Sequence, residues 1–147
     1  MQSTVLAAST LTGAVGPVKA TGVAVAMLIV MVFGIIGQGK KKLNAGPAQI
    51  VGFFGEIVFL KSNGYTRDIG DSVQSVTAGI ASNPDLGTIG MTGVCLSIVA
   101  LMFFMRVVPA SGVFLGMLLA GAMAAAPGSI WKAIIGIASI PLSLLGM

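Results

Sequence analysis

Few side chains in this chain of 147 residues suit acid–base or metal chemistry, and their spacing favours neither. Histidine is absent and Cys95 is the single cysteine, so an intramolecular disulfide and a Cys/His zinc site are both excluded. Cys95 lies inside an apolar run and reads as a small, inert packing residue. Glu56 is the one acid within an apolar stretch, where a charge is costly and often marks an ion pathway. No second buried acid accompanies it as a relay, so Glu56 is expected to reach water or to pair with Lys61. Asp68 and Asp71, three residues apart, read as charges near the start of an amphipathic helix, where the dipole favours them. There is no Gly-x-Ser-x-Gly and no phosphate-binding loop ending in Lys-Ser/Thr. No catalytic, metal-binding or cofactor-binding residue is assigned. Structural phospholipid is the only non-protein component the sequence suggests.

The basic residues point to lipid. The net charge of +4 comes mostly from Lys40, Lys41 and Lys42, with the rest scattered. That is too sparse for a nucleic-acid surface, so no direct base contact is expected. Basic residues beside apolar segments mark the cytoplasmic side and anionic headgroups. Lys40, Lys41, Lys42, Arg106 and Lys132, with Trp131 as an amphipathic anchor, form the expected headgroup set.

The elements that position these residues are helical and apolar. The chain is 56% hydrophobic and 8% charged, against about 25% charged in an average soluble domain, and its mean hydropathy is +1.03. Uncharged apolar runs extend from Ala20 to Gly39, from Leu86 to Met105, and from Val107 to Trp131. Runs of about eighteen residues or more suffice, as helices, to cross a hydrocarbon core of about 30 Å. The expected fold is therefore all-α, with about three transmembrane spans and short amphipathic helices. Residues 1–18 read as an N-terminal arm, and 19–42 as a first span with its basic stop. Residues 43–85 form an interfacial or amphipathic linker, 86–131 a transmembrane hairpin, and 132–147 an apolar tail interrupted by Pro141.

Within the linker, Pro47 to Leu60 reads as a short interfacial or re-entrant helix, with Gln49, Gly52 and Glu56 on one face. Ile69, Val73, Val76 and Ile80 repeat at helical spacing and predict the buried face of the next helix. Met1 to Val18 is uncharged and no small-x-small site follows, so an uncleaved first span is expected rather than a secretory signal. Placing the tri-lysine loop in the cytoplasm puts Lys40, Lys41, Lys42, Lys61, Arg67 and Lys132 on one side. Lys19 and Arg106 fall on the other. The positive-inside rule thus favours three spans with the N-terminus outside.

Small residues supply the remaining pattern. Gly112, Gly116, Ala120 and Ala124 recur every four residues, with Gly121 and Ala125 beside them. Gly93 and Ser97 do the same on the preceding run. Such faces let backbones approach closely where lipid removes the hydrophobic drive. They serve either packing within the chain, as the hairpin closes on itself, or packing between subunits. The second use is favoured, because two ladders on one helix exceed what one partner needs.

Residues 93–130 resemble the pilins of type IV secretion and conjugation systems. The matching parts are the run to Met105, the turn Arg106-Val107-Val108-Pro109, the glycine-rich helix from Gly112, and Ala124-Ala125-Ala126-Pro127-Gly128-Ser129-Ile130. The resemblance implies a helical hairpin that stacks into a hollow filament, with Arg106 facing lipid headgroups and the small ladders as subunit contacts. Hydrophobic hairpin proteins of lipid-containing viral shells, and phage holins, are also similar. The expected function is a non-enzymatic structural membrane protein that self-assembles with lipid into a pilin-like filament, shell or ring. Its partners are then copies of itself and membrane lipid, and its place the membrane or an exported extracellular or virion assembly. The alternative is a pore-forming or holin-like channel lined by Gln49 and Glu56.

Overall fold

The computed structural model describes residues 19–37, 43–86 and 89–144. Among these it is all-helical: α1 (Ala20–Ile36), α2 (Ala45–Lys61), α3 (Tyr65–Ala81), α4 (Gly90–Phe104), α5 (Pro109–Ala125) and α6 (Ser129–Leu144), with a 3₁₀ turn at Pro84–Leu86. The N-terminal arm, the tri-lysine segment and residues 145–147 lie outside the described residues.

Local chemistry sets the helix ends. Gly37 closes α1 in the left-handed region, φ 68°, and its N–H donates to the Phe33 carbonyl at 3.1 Å. Pro109 sits at the start of α5, where its missing N–H costs nothing. Ala126-Pro127-Gly128 separates α5 from α6. The long apolar runs therefore resolve into helices of 17, 15 and 17 residues for α1, α4 and α5. At 1.5 Å per residue, 17 residues reach about 25 Å, short of a hydrocarbon core of about 30 Å. Among the described residues no helix is long and apolar enough to cross a membrane. This corrects the expected length of the spans. The helix within the run from Leu86 covers only Gly90–Phe104, and the run from Val107 breaks at Pro127 before the next helix starts at Ser129.

The architecture is organised around α2, not around the α4–α5 hairpin. The most extensive helix pair is α2 with α5, and α2 also touches α1, α3 and α6. Gly112 packs on Ala45, Ala48 and Gln49, Gly116 on Gln49 and Phe53, and Gly121 on Glu56. The register rises together along both helices, so they run parallel. The helix expected over Pro47–Leu60 is present as Ala45–Lys61, and it packs at the centre of the bundle. From Gly55 to Phe59 every residue of α2 is buried, Glu56 included, because neighbouring helices cover it on several sides.

The α2–α3 corner is fixed by hydroxyls. The Ser62 and Thr66 oxygens lie 2.6 Å apart, Ser62 reaches the Phe59 carbonyl at 2.7 Å, and Gly64 turns the chain at φ 69°. α3 then lies over α2 with Thr66, Gly70, Val73 and Thr77 inward. The expected face was rotated from this: Val73 is buried and Ile69 half-buried, but Val76 and Ile80 are exposed. Gly70 fits against Leu60, and Thr77 satisfies its hydroxyl on the Val73 and Gln74 carbonyls at 3.3 and 2.8 Å. A close-packed inward face therefore tolerates Thr and Gly where bulky isoleucine would hold the helices apart.

The C-terminal tail continues as α6 through Pro141 instead of breaking there. It packs on α5 and α2, with Leu142 buried.

Candidate functional site

Two features could carry function: the seam around Glu56, and the outer surface of the bundle. Every described charged residue is exposed except Glu56. Its side chain is 0% exposed, and neither carboxyl oxygen has a hydrogen-bond partner. This corrects the expectation that Glu56 reaches water or pairs with Lys61, which is itself exposed. The helix turns Glu56 inward because Gly52, Gly55, Glu56 and Phe59 share the side packed beneath its neighbours.

Gly121 of α5 makes room for the carboxyl. A Cβ on it would stand 3.5 Å from Glu56 Oε1, 3.3 Å from Val73 Cγ1 and 3.7 Å from Gln74 Cγ. α2, α3 and α5 meet at this point. Burial, helped by the like charge of Asp71, pushes the Glu56 carboxyl up from 4.5 to about 8. At neutral pH it is a neutral acid: a proton donor with nothing in the described fold to receive its hydrogen bond.

Gln49, the other residue assigned to a pore lining, is half-buried in a groove between α2, α4 and α5. Two adjoining hollows of about 320 and 460 Å³ share Gln49, Met102 and Leu119, and their walls are otherwise apolar. Such walls suit an apolar occupant, not ions. Gln49 and Glu56 do not combine into one polar channel lining in this structure.

The small-residue ladders divide. Gly112, Gly116, Ala120 and Gly121 are buried within the chain, and Gly116 is so close to α2 that a side chain there would overlap the Gln49 carbonyl. Gly52 meets the Val113 carbonyl of α5 in the same way. These residues serve intrachain packing: Gly112 and Gly116 meet α2, and Gly121 meets α2 and α3, in place of the hairpin's own α4. A face covered by α2 is closed to a second copy. Ala124, Ala125 and Ser97 are exposed and Gly93 is half-buried, so these four remain on or near the surface.

Of the headgroup set, Lys40, Lys41 and Lys42 lie outside the described residues. Arg106 is exposed in the α4–α5 turn, Lys132 is exposed and Trp131 half-buried. Arg106 precedes α5, and Trp131-Lys132 follow it in the first turn of α6.

Sequence reasoning missed the outer surface. Val25, Ile29, Val32, Phe33 and Ile36 form an exposed strip on α1, and Ile130, Ile134 and Ile137 another on α6. Phe103 and Phe104 of α4 are 85% and 88% exposed. The charges of the helix faces concentrate instead on α3, where Arg67, Asp68 and Asp71 are exposed. The signal was present on α6, where isoleucines recur at positions 130, 134 and 137, but Pro141 had argued against a helix.

Among the described residues no group of three or more His, Cys, Asp or Glu comes together to hold a metal ion. Comparison of the chain with protein-family models, curated proteins and solved structures finds no match.

Proposed function

We propose that this protein is a non-enzymatic structural subunit, embedded in lipid through its uncharged stretches and assembled from many copies of itself. The observation that carries the reading is the sidedness of the bundle. Its outer faces on α1, α4 and α6 are strongly apolar, with Lys132 the one charge on those three helices, while three exposed charges sit together on α3. Large apolar side chains repeated over several helices call for a covering surface, either acyl chains or another copy. Arg106 before α5 and Trp131-Lys132 after it suit headgroups flanking an apolar layer.

Helix length argues for assembly. Apolar helices shorter than the hydrocarbon core are accommodated by local thinning, by snorkelling flanks or by oligomerisation. Subunit contact falls to the apolar strips and to Gly93, Ser97, Ala124 and Ala125, the small residues not enclosed by α2. A pilin-like filament, a shell or a ring would each use such surfaces. The pore alternative is less well supported, because Glu56 is sealed between helices and the Gln49 groove is apolar.

Electron microscopy of protein extracted from membranes tests the proposal. Filaments, rings or shells of uniform width are the expected result, and a population of single chains that never associates would refute it.

A further inference from the structure

We propose that Glu56 is a proton-operated latch: the neutral carboxyl lets α3 seat on α2 and α5, and its ionisation lifts α3 away and admits water to the seam. The argument is geometric. The carboxyl sits where three helices converge, wholly enclosed, and neither oxygen is hydrogen bonded. An ionised carboxylate cannot remain there without a partner, because nothing replaces its hydration.

Among the described residues no charge nearby compensates it. α1 and α5 carry no charged residue, and α6 carries only Lys132, which is exposed. On α2 itself Lys61 is exposed, and on α3 Arg67, Asp68 and Asp71 are exposed. Asp71, 3.6 Å from Arg67, acts on Glu56 with the same sign and opposes ionisation.

The element best able to move is α3. It joins the bundle through Thr66, Gly70, Val73 and Thr77, a face with little apolar area, and its outer side is already polar. Segments with few buried apolar contacts open at the lowest free energy. The closed carboxyl titrates near 8 and the open one near 4.5. The closed state is therefore fully favoured below the lower value, and that preference is lost as pH rises through the higher one. The inference goes beyond the structural role proposed above and holds whether or not the protein assembles.

Hydrogen exchange of amides 65–81 in the full-length protein, corrected for intrinsic rates, provides the test. The opening equilibrium should rise about tenfold per pH unit between the two values and level off above. Glu56→Gln should remove that dependence. PH-independent protection in the wild type, or an equal rise in Glu56→Gln, would overturn the latch. Infrared spectroscopy of the unsubstituted protein decides the matter even if the variant does not fold. The chain has four acids, three of them exposed, so a protonated carboxyl band at neutral pH belongs to Glu56. Its loss alongside α3 opening is expected. A Glu56 carboxyl already ionised at pH 6 would contradict the proposal.

Discussion

The backbone carbonyl of Gln49 on α2 occupies the place where a side chain on Gly116 of α5 would begin. One turn away the relation is reciprocated, with Gly52 of α2 set against the Val113 carbonyl of α5. Two glycines thus let parallel helices touch backbone to backbone, close enough for Cα–H contacts and dispersion to hold them.

Gly116→Leu should consequently damage the fold before it affects any assembly. Forcing bulk into this contact costs about 1–3 kcal/mol or more. Gly79 has open space around it, and Gly79→Ala should add about 0.5–1 kcal/mol by restricting the unfolded chain. Thermal unfolding followed by circular dichroism should show a lower midpoint for the first variant and a raised one for the second.

Glu56→Met removes a buried polar group that has no partner. Stability at neutral pH should increase by about 1–3 kcal/mol. The wild-type carboxyl is raised from 4.5 to about 8 in the folded state, so its contribution is complete below the lower value and disappears as pH rises through the higher. Denaturant titrations across this window should show wild-type stability falling while Glu56→Met stays level.

Cys95 and Ser97 lie on one helix but face differently, the first buried and the second exposed. Maleimide should label Cys95 slowly in every state. A cysteine at Ser97, placed in a Cys95→Ser background, should react roughly a hundredfold faster in dispersed protein if opening costs about 3 kcal/mol. Protection of that cysteine on reconstitution would place Ser97 at a lipid or subunit contact.

Phe33→Lys and Ile137→Lys alter exposed strips without entering the core. Each should leave folding stability within about 0.5 kcal/mol while reducing lipid attachment and oligomer size. Sedimentation after reconstitution would measure both losses.

Helical class and most turns were legible in the sequence. Gly37 and Gly64 permit positive φ and Pro109 and Pro127 fix φ, and each lies at or beside a helix boundary in the structure. The partner of the glycine ladder was not legible. A small face shows that something approaches closely but not which helix, and the true partner, α2, is more than fifty residues away. Glu56 was misplaced for a related reason. An isolated acid in a short apolar stretch suggests an interface, and only the convergence of α3 and α5 reveals that it is enclosed. On α3, hydrophobicity was a poor guide because Gly70 packs against Leu60 and the inward face includes Thr66 and Thr77.

The central claim is that the outer faces of α1, α4 and α6 rest against lipid or other copies. Flotation with anionic phospholipid vesicles, followed by mass determination with and without detergent, tests it most directly. Comigration with vesicles and a mass of many subunits are the predicted results. A single 147-residue chain, stable and monodisperse in plain buffer and left behind by the vesicles, would contradict it.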